Sequence, residues 1–531
     1  MALCSVPFII FCIVLLLLYF AAPRRFQWII LLLASMVFNA FCGIGAIALL
    51  LVFALITYIS TQAIGRIYAE GDAYIAANKE TLPREERKKY KQTLKGRAHR
   101  ILIAYVILLA GCLAFFKLVP IFEESGLNMS VIAPLGVSYY TLQCIGYVTD
   151  VYRKEVTPER NYLKVLLFVS FFPQIVQGPI SGWENLTGEI FASHEFDGKS
   201  FSYGFYRFLW GFFKKMVIAD TMSPYIQGLF ANYHDYHAPT LMIGAFLCML
   251  RLYADFSGYM DIVCGLCQMM GISLTENFRQ PFFSHSLTEF WTRWHISLGA
   301  WFRNYVFYPV GKSGMCKAIA SKTRKKLGDP FADRLPMTFG LFAVWILIGL
   351  WHGINAPFVL WGILNGLIMI MTNWLDPVYG RLKKALRIDP NAAYWRAFTC
   401  IRTFILVSYL EVFSDVGTLK DGVGYILSSL TNTWAVRSLS DIVPYVNPGS
   451  PGEMHNLLVV IAGFAGVLAV SIRNEMLKKK DPGSDRDVRD DIINLPILLQ
   501  SVMLAGIFML IVLIGVQSAV SNAGGFMYAN F

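Results

Sequence analysis

Leu335 to Leu375 reads LPMTFGLFAVWILIGLWHGINAPFVLWGILNGLIMIMTNWL and contains no Asp, Glu, Lys or Arg. A membrane-crossing helix needs about 20 apolar residues, so this run suffices for two crossings. The loops on either side, ending at Arg334 and starting at Arg381, are basic, as cytoplasmic loops are. The run is therefore expected to enter the bilayer and return as a hairpin. At about 1.5 Å per residue, the helix leading to His352 reaches about 25 Å. Trp351-His352-Gly353 then lies past the membrane centre, towards the outer side. Gly353, Asn355 and Pro357 are helix breakers that suit a turn there. Broken backbone at that depth is tolerated only where protein covers it or a wet cavity borders it.

The rest of the chain is built in the same way. Of 531 residues, 56% are hydrophobic and 15% charged, with a mean hydropathy of +0.51. Soluble domains carry about 25% charged residues. Uncharged runs recur at 1–23, 26–65, 101–116, 454–472 and 492–531. With the less clean segments between them they imply an all-α polytopic membrane protein of about 10–12 spans. The first run lacks a preceding basic region and is followed by Arg24 and Arg25, so it reads as a span and not as a cleaved signal. No internal repeat and no soluble domain stand out, and the expectation is one integral membrane domain over 1–531.

A net charge of +11 invites a nucleic-acid reading, but the excess sits between apolar runs, at Lys79–Arg100, Lys312–Arg334, Arg381–Arg387 and Arg473–Arg489. That is the positive-inside pattern, which also suits anionic lipid or an acidic cytoplasmic partner. No nucleic-acid partner is expected. The ten cysteines fall mostly in apolar runs. Cys264 and Cys267 have metal-ligand spacing but no second pair, so no metal site is expected.

His352 is the leading candidate for chemistry. Ionisable groups at membrane depth are functional by default, and burial favours the neutral imidazole that can accept a proton. The competing reading is a core histidine bonded to a carbonyl. His295 stands in a second unusual segment, Phe290-Trp291-Thr292-Arg293-Trp294-His295-Ile296-Ser297-Leu298. Around it, Glu289, Arg293, Trp294 and Ser297 would fall within helical reach of one another, at three or four positions in several pairs, although an interfacial helix with a tryptophan belt would look similar. Residues 278–310 are too charged to span simply and read as amphipathic or re-entrant helices. Tyr253, Asp255 and Ser257 could form a polar lining with Arg293, Trp294, Trp351 and Asn355, Asp255 pairing with Arg251 or Arg293. His99, His194, His234, His237, His285 and His455 lie in polar stretches and read as solvated. The sequence has no Gly-x-Ser-x-Gly, Ser-x-x-Lys, P-loop or His-Glu-x-x-His motif. Two histidines without a covalent nucleophile point to direct transfer with general-base help.

Several of these segments resemble the membrane-bound O-acyltransferases, in order and at similar spacing over residues 130–375. They are Pro134–Gln143 with Asp150-Val151-Tyr152-Arg153, Phe172–Pro179, Tyr253–Asp261, Glu276-Asn277-Phe278, Phe290–Leu298 and Trp351-His352-Gly353. The wording is most similar to the bacterial branch concerned with alginate O-acetylation. The resemblance implies a ring of helices around a thin core, with His352 as the catalytic residue and His295 as the second. It also implies a funnel from outside and a donor pocket from the cytoplasm. Two departures stand out. The family's Trp-Phe-Arg-Asp is Trp301-Phe302-Arg303-Asn304 here, and its late Phe-Arg-Ala element is missing, the nearest stretch being Val412-Phe413-Ser414-Asp415.

The expected activity is transfer of an acetyl group from cytoplasmic acetyl-CoA, used as substrate with no bound cofactor, towards hydroxyls of an extracytoplasmic polysaccharide. An extracytoplasmic acetyltransferase- or esterase-like partner is expected to take part. The alternative donor is a D-alanyl carrier protein serving teichoic acid. A transporter or flippase would show repeat symmetry, and a scaffold would tolerate loss of both histidines.

Overall fold

In a bilayer every backbone polar group must be satisfied within the protein, and a helix does so within one segment. The computed structural model describes residues 3–124, 134, 136–437, 451–481, 483 and 486–515, and among these it is helical, with a single antiparallel bridge between Phe278 and Trp294. Eight of the described helices are long and apolar enough to cross a membrane, and Val6–Ala21 is a shorter apolar one. Residues 27–40 and 137–190 are divided among helices of 17 residues or fewer, so they are not among these eight. The chain is a multi-pass integral membrane protein. Its contacts group into two compact units, Met1–Phe201 with Leu266–Thr275, and Ser202–Gly265 with Glu276–Phe531.

The first unit contains α1 (Val6–Ala21), α2 (Gln27–Ala40), α3 (Ile44–Ala77), α4 (Arg84–Glu124) and α5 (Val137–Arg153). The hydroxyls of Thr57 and Tyr105, 2.6 Å apart, tie α3 to α4. The Gln27 side chain donates to the His194 carbonyl and accepts from its N–H, each at 2.9 Å, and Tyr19 meets His194 Nδ1 at 2.9 Å. His194, expected as a solvated loop residue, is therefore half-buried, and burial lowers its pKa below the ordinary imidazole value. Its neighbours consume the polar groups that water would otherwise satisfy. The His455 side chain lies outside the described residues.

In the second unit, α6 (Gly198–Phe212) passes through a π-helical turn, Phe213–Ala219, into α7 (Asp220–Ala231). A π turn is rare and shifts the side-chain register. It carries Lys214 and Lys215, both buried, against α8 (Ala238–Met269). Lys214 reaches Asp261 at 2.7 Å and Ser257 at 2.8 Å, and Lys215 reaches Asp255 at 2.6 Å and Asp220 at 2.8 Å. Arg251 pairs instead with Asp415 at 2.5 Å, while Arg293 pairs with Glu289 at 2.9 Å and Glu475 at 3.2 Å. Asp255 meets the ammonium of Lys215, which the sequence reading did not anticipate.

The uncharged run forms the expected hairpin, α11 (Leu335–His352) and α12 (Ala356–Ala385), preceded by the short helices α9 (Leu287–Arg293) and α10 (Ile296–Phe302). Small residues let membrane helices approach closely. Here Gly362 faces Gly349, and a Cβ on Gly362 would lie 2.5 Å from the Trp345 carbonyl oxygen. Of the departing Trp301–Asn304 motif, Arg303 and Asn304 are exposed.

Candidate active site

His352 ends α11, and Gly353 continues in extended conformation. Asn355, itself exposed, then caps α12 by accepting from the Phe358 N–H at 3.2 Å. Asn is a favoured N-cap because its oxygen satisfies an otherwise orphaned helix donor. A Cβ on residue 353 would meet the Phe358 ring at 2.5 Å, so glycine is what allows Phe358 to fold back over the turn. The Phe358 ring stacks on the His352 imidazole at 6.0 Å between centroids and 18° between planes. Trp361 meets the same imidazole edge-on at 5.2 Å, and Trp361 Nε1 donates to Glu411 at 3.1 Å on α13 (Ala393–Asp415). His352 is 4% exposed. It sits at the helix break that the sequence places there, but in an aromatic box of Trp351, Phe358 and Trp361 that the sequence reading did not anticipate.

His295 is held differently from its sequence expectation. The helix over 287–293 stops before it, Trp294 is extended, and His295 has φ 46° and ψ 51° at the start of α10. Left-handed backbone costs a non-glycine residue on the order of 1–3 kcal/mol unless the surroundings impose it. Here they do. Trp294 bridges Phe278, the Arg279 N–H donates to the Arg293 carbonyl at 2.9 Å, and the Ile296 N–H donates to the Asn277 carbonyl at 3.1 Å. The helix that sets Glu289 and Arg293 one turn apart, paired at 2.9 Å, therefore ends in a kink clamped by residues 277–279, and Ser297 lies beyond it. Trp294 stacks on Phe290 and is fully buried, a packing role. Arg293 points to the carboxylates named above.

The His295 ring is 3% exposed, packed edge-on against Phe256 at 4.8 Å and 6.3 Å from the Trp351 ring. Burial pushes its pKa down to about 3, so the imidazole is neutral at physiological pH. Trp351 in turn lies 4.9 Å from His352. One indole thus contacts both imidazoles.

A cavity of about 460 Å³ opens beside this site. Tyr253 and Ser257 line it, whereas Asp255 is turned to Lys215 and Arg293, Trp294, Trp351 and Asn355 are not among its lining residues. Neither imidazole is on its wall, but Asn277 is, and Asn277 bonds His295. The wall carries six cationic side chains, Arg207, Lys214, Arg279, Lys478, Arg486 and Arg489, against three carboxylates. Sequence reasoning missed Asn277, Lys214 and this basic cluster. The available signal was two adjacent lysines inside the apolar stretch Phe208–Ala219, which membrane burial makes expensive.

A family profile described as the membrane-bound O-acyltransferase family matches residues 154–409. The chain is 31% identical over 403 residues to the probable alginate O-acetylase AlgI of Pseudomonas putida, covering 73% of this chain and 72% of that protein. It is 32% identical over 403 residues to the corresponding protein of Azotobacter vinelandii, covering 73% and 70%. It is 30% identical over 289 residues to the teichoic acid D-alanyltransferase of Bacillus subtilis, covering 53% and 68%.

Proposed function

Because the chain belongs to the membrane-bound O-acyltransferase family, we propose that it transfers an acetyl group from cytoplasmic acetyl-CoA towards hydroxyls of an extracytoplasmic polysaccharide, with an extracytoplasmic protein partner on the acceptor side. That the chain is an O-acyltransferase follows from the family. The donor, the acceptor and the residue roles are the proposal.

The reading rests on two buried imidazoles that contact one indole, Trp351. His352 takes the hydroxyl proton as the hydroxyl oxygen attacks the thioester carbonyl carbon. The tetrahedral intermediate then breaks its C–S bond, the thiolate leaves and recovers the proton from the imidazolium, and the acetyl ester stays on the acceptor. General-base help of this kind contributes about 10²–10⁴ in rate. His295, neutral in the same shell, orients the hydroxyl. The basic cavity suits the phosphates of a coenzyme A donor, and Lys478, Arg486 and Arg489 come from the Arg473–Arg489 segment expected on the cytoplasmic side.

The test replaces His352 by Ala in the native host at equal membrane level and measures alkali-released acetate from the envelope polymer. Loss of acetyl esters supports the reading, and retained esters overturn it. Loss of D-alanyl esters with acetyl esters intact would establish the alternative donor, which the Bacillus subtilis relative favours.

A further inference from the structure

His295 needs more than neutrality to act on a proton. Its two ring nitrogens are distinct, and the partner of one decides what the other can do. The His295 Nδ1 atom lies 3.4 Å from Asn277 Oδ1, and its Nε2 atom is buried with no hydrogen-bond partner among the described residues.

Which end of the Asn277 amide faces the ring is settled by the backbone. The Ser297 N–H, which can only donate, lies 3.0 Å from the same side-chain oxygen, and the Ser297 hydroxyl lies 2.9 Å from it. The other end of the amide donates to Met260 Sδ at 3.5 Å. An oxygen therefore faces the ring, and an amide oxygen accepts but never donates. The proton of the neutral imidazole must then sit on Nδ1, which leaves a lone pair on Nε2.

We propose that Asn277 is a positioning residue that locks His295 in its Nδ1–H form, so that Nε2 is kept as a bare hydrogen-bond acceptor that orients the incoming hydroxyl, whose proton passes to His352. The inference rests on the reading above that His295 takes part in transfer. The left-handed backbone of His295 adds to the lock, because the 277–279 segment that imposes it also carries the amide. An unpaired buried acceptor is costly to a fold, and an acceptor kept for substrate explains why this one is retained. Asn277 also lies on the cavity wall, so one side chain joins the basic cavity to the imidazole.

The experiment uses the full-length protein in lipid vesicles with ¹⁵N-labelled histidine, the His295 signals being those lost in His295→Gln. Nitrogen shifts and ring couplings report which nitrogen bears the proton. Wild-type protein and Asn277→Asp are expected to show Nδ1–H, and Asn277→Leu a mixture with the Nε2–H form. Acetyl esters formed in the host should fall roughly tenfold or more in Asn277→Leu, with partial rescue in Asn277→Asp. A proton on Nε2 in the wild type, or an unchanged tautomer in Asn277→Leu, overturns the proposal. If Asn277→Leu fails to accumulate, the wild-type spectrum decides alone. Full acetylation by His295→Gln would overturn the role of His295 in transfer, a failure distinct from a wrong tautomer.

Discussion

His295 and Trp351 meet ring to ring, 6.3 Å between centroids and 62° between planes, although 56 positions separate them in the chain. The same indole lies 4.9 Å from His352. Trp351, itself buried, thus contacts both imidazoles and sets their spacing. Truncating it to Ala is expected to lower acetyl-ester formation about a hundredfold at equal membrane level, within the range general acid–base help provides. Trp351→Phe, which keeps a flat ring, should retain more activity than Trp351→Ala. Equal activity of the two variants would mean that the indole is only filler.

The low pKa of His295 makes a stability prediction with a definite sign. Its folded value of about 3 lies below the ordinary imidazole value of 6.5. Between those values the unfolded chain binds a proton and the folded one does not, so stability rises with pH across that window. The contribution is complete above about pH 6.5, and acidification from pH 7 to 5 should remove about 2 kcal/mol through this residue. In detergent, the drop in Tm between pH 7 and pH 5 should be smaller in His295→Gln than in wild type. Identical drops would show that His295 is not held neutral.

Much of this architecture was legible because the membrane imposes simple rules. An uncharged run of two crossing lengths, broken at Gly353 and Asn355, can only be a hairpin, and His352 falls at its break. The kink at His295 was not legible. Residues 287–302 carry helical spacing throughout, and what stops the helix is the pairing of Trp294 with Phe278, 16 positions away. The partner of Asp255 was hidden for a related reason. Arg251 is one helical turn from it in sequence, yet Lys215, brought across by a π turn, meets it at 2.6 Å. Local pattern reports helices, whereas ion pairs depend on how helices are laid together.

That pairing can be tested through stability. Lys215 faces both Asp255 and Asp220 in a buried setting. Removing one partner of a buried ion pair costs about 3–5 kcal/mol because the remaining charge is uncompensated. Lys215→Met is therefore expected to accumulate poorly and to melt at lower temperature. Adding Asp255→Asn to that variant should recover part of the loss. A double variant less stable than Lys215→Met would show that the pair is not the source of the cost.

The hairpin carrying His352 depends on close approach at Gly362. A Cβ there would lie 2.5 Å from the Trp345 carbonyl oxygen and 3.0 Å from the Gly349 Cα, and backbone atoms cannot swing aside. Overpacking of this kind costs about 1–3 kcal/mol. Gly362→Ala should lower Tm and activity together, and Gly362→Leu should abolish both. Gly380 lies on the same helix with nothing within 4 Å of its Cβ position, so Gly380→Ala is the control and should leave both unchanged. Full activity in Gly362→Leu would disprove the close contact.

The basic cavity predicts a split between binding and turnover. Arg279 and Lys478 lie on its wall, and neither is among the residues that contact either imidazole. Charges that attract a polyanionic donor act on its capture more than on the chemical step. The double variant Arg279→Glu with Lys478→Glu should raise KM for acetyl-CoA about tenfold or more while kcat changes little. The effect should shrink at high ionic strength, where surface attraction is screened. A variant that loses kcat at unchanged KM would place the donor elsewhere. The substitutions would then be acting through the 277–280 segment, which Arg279 shares with the residue bonded to His295.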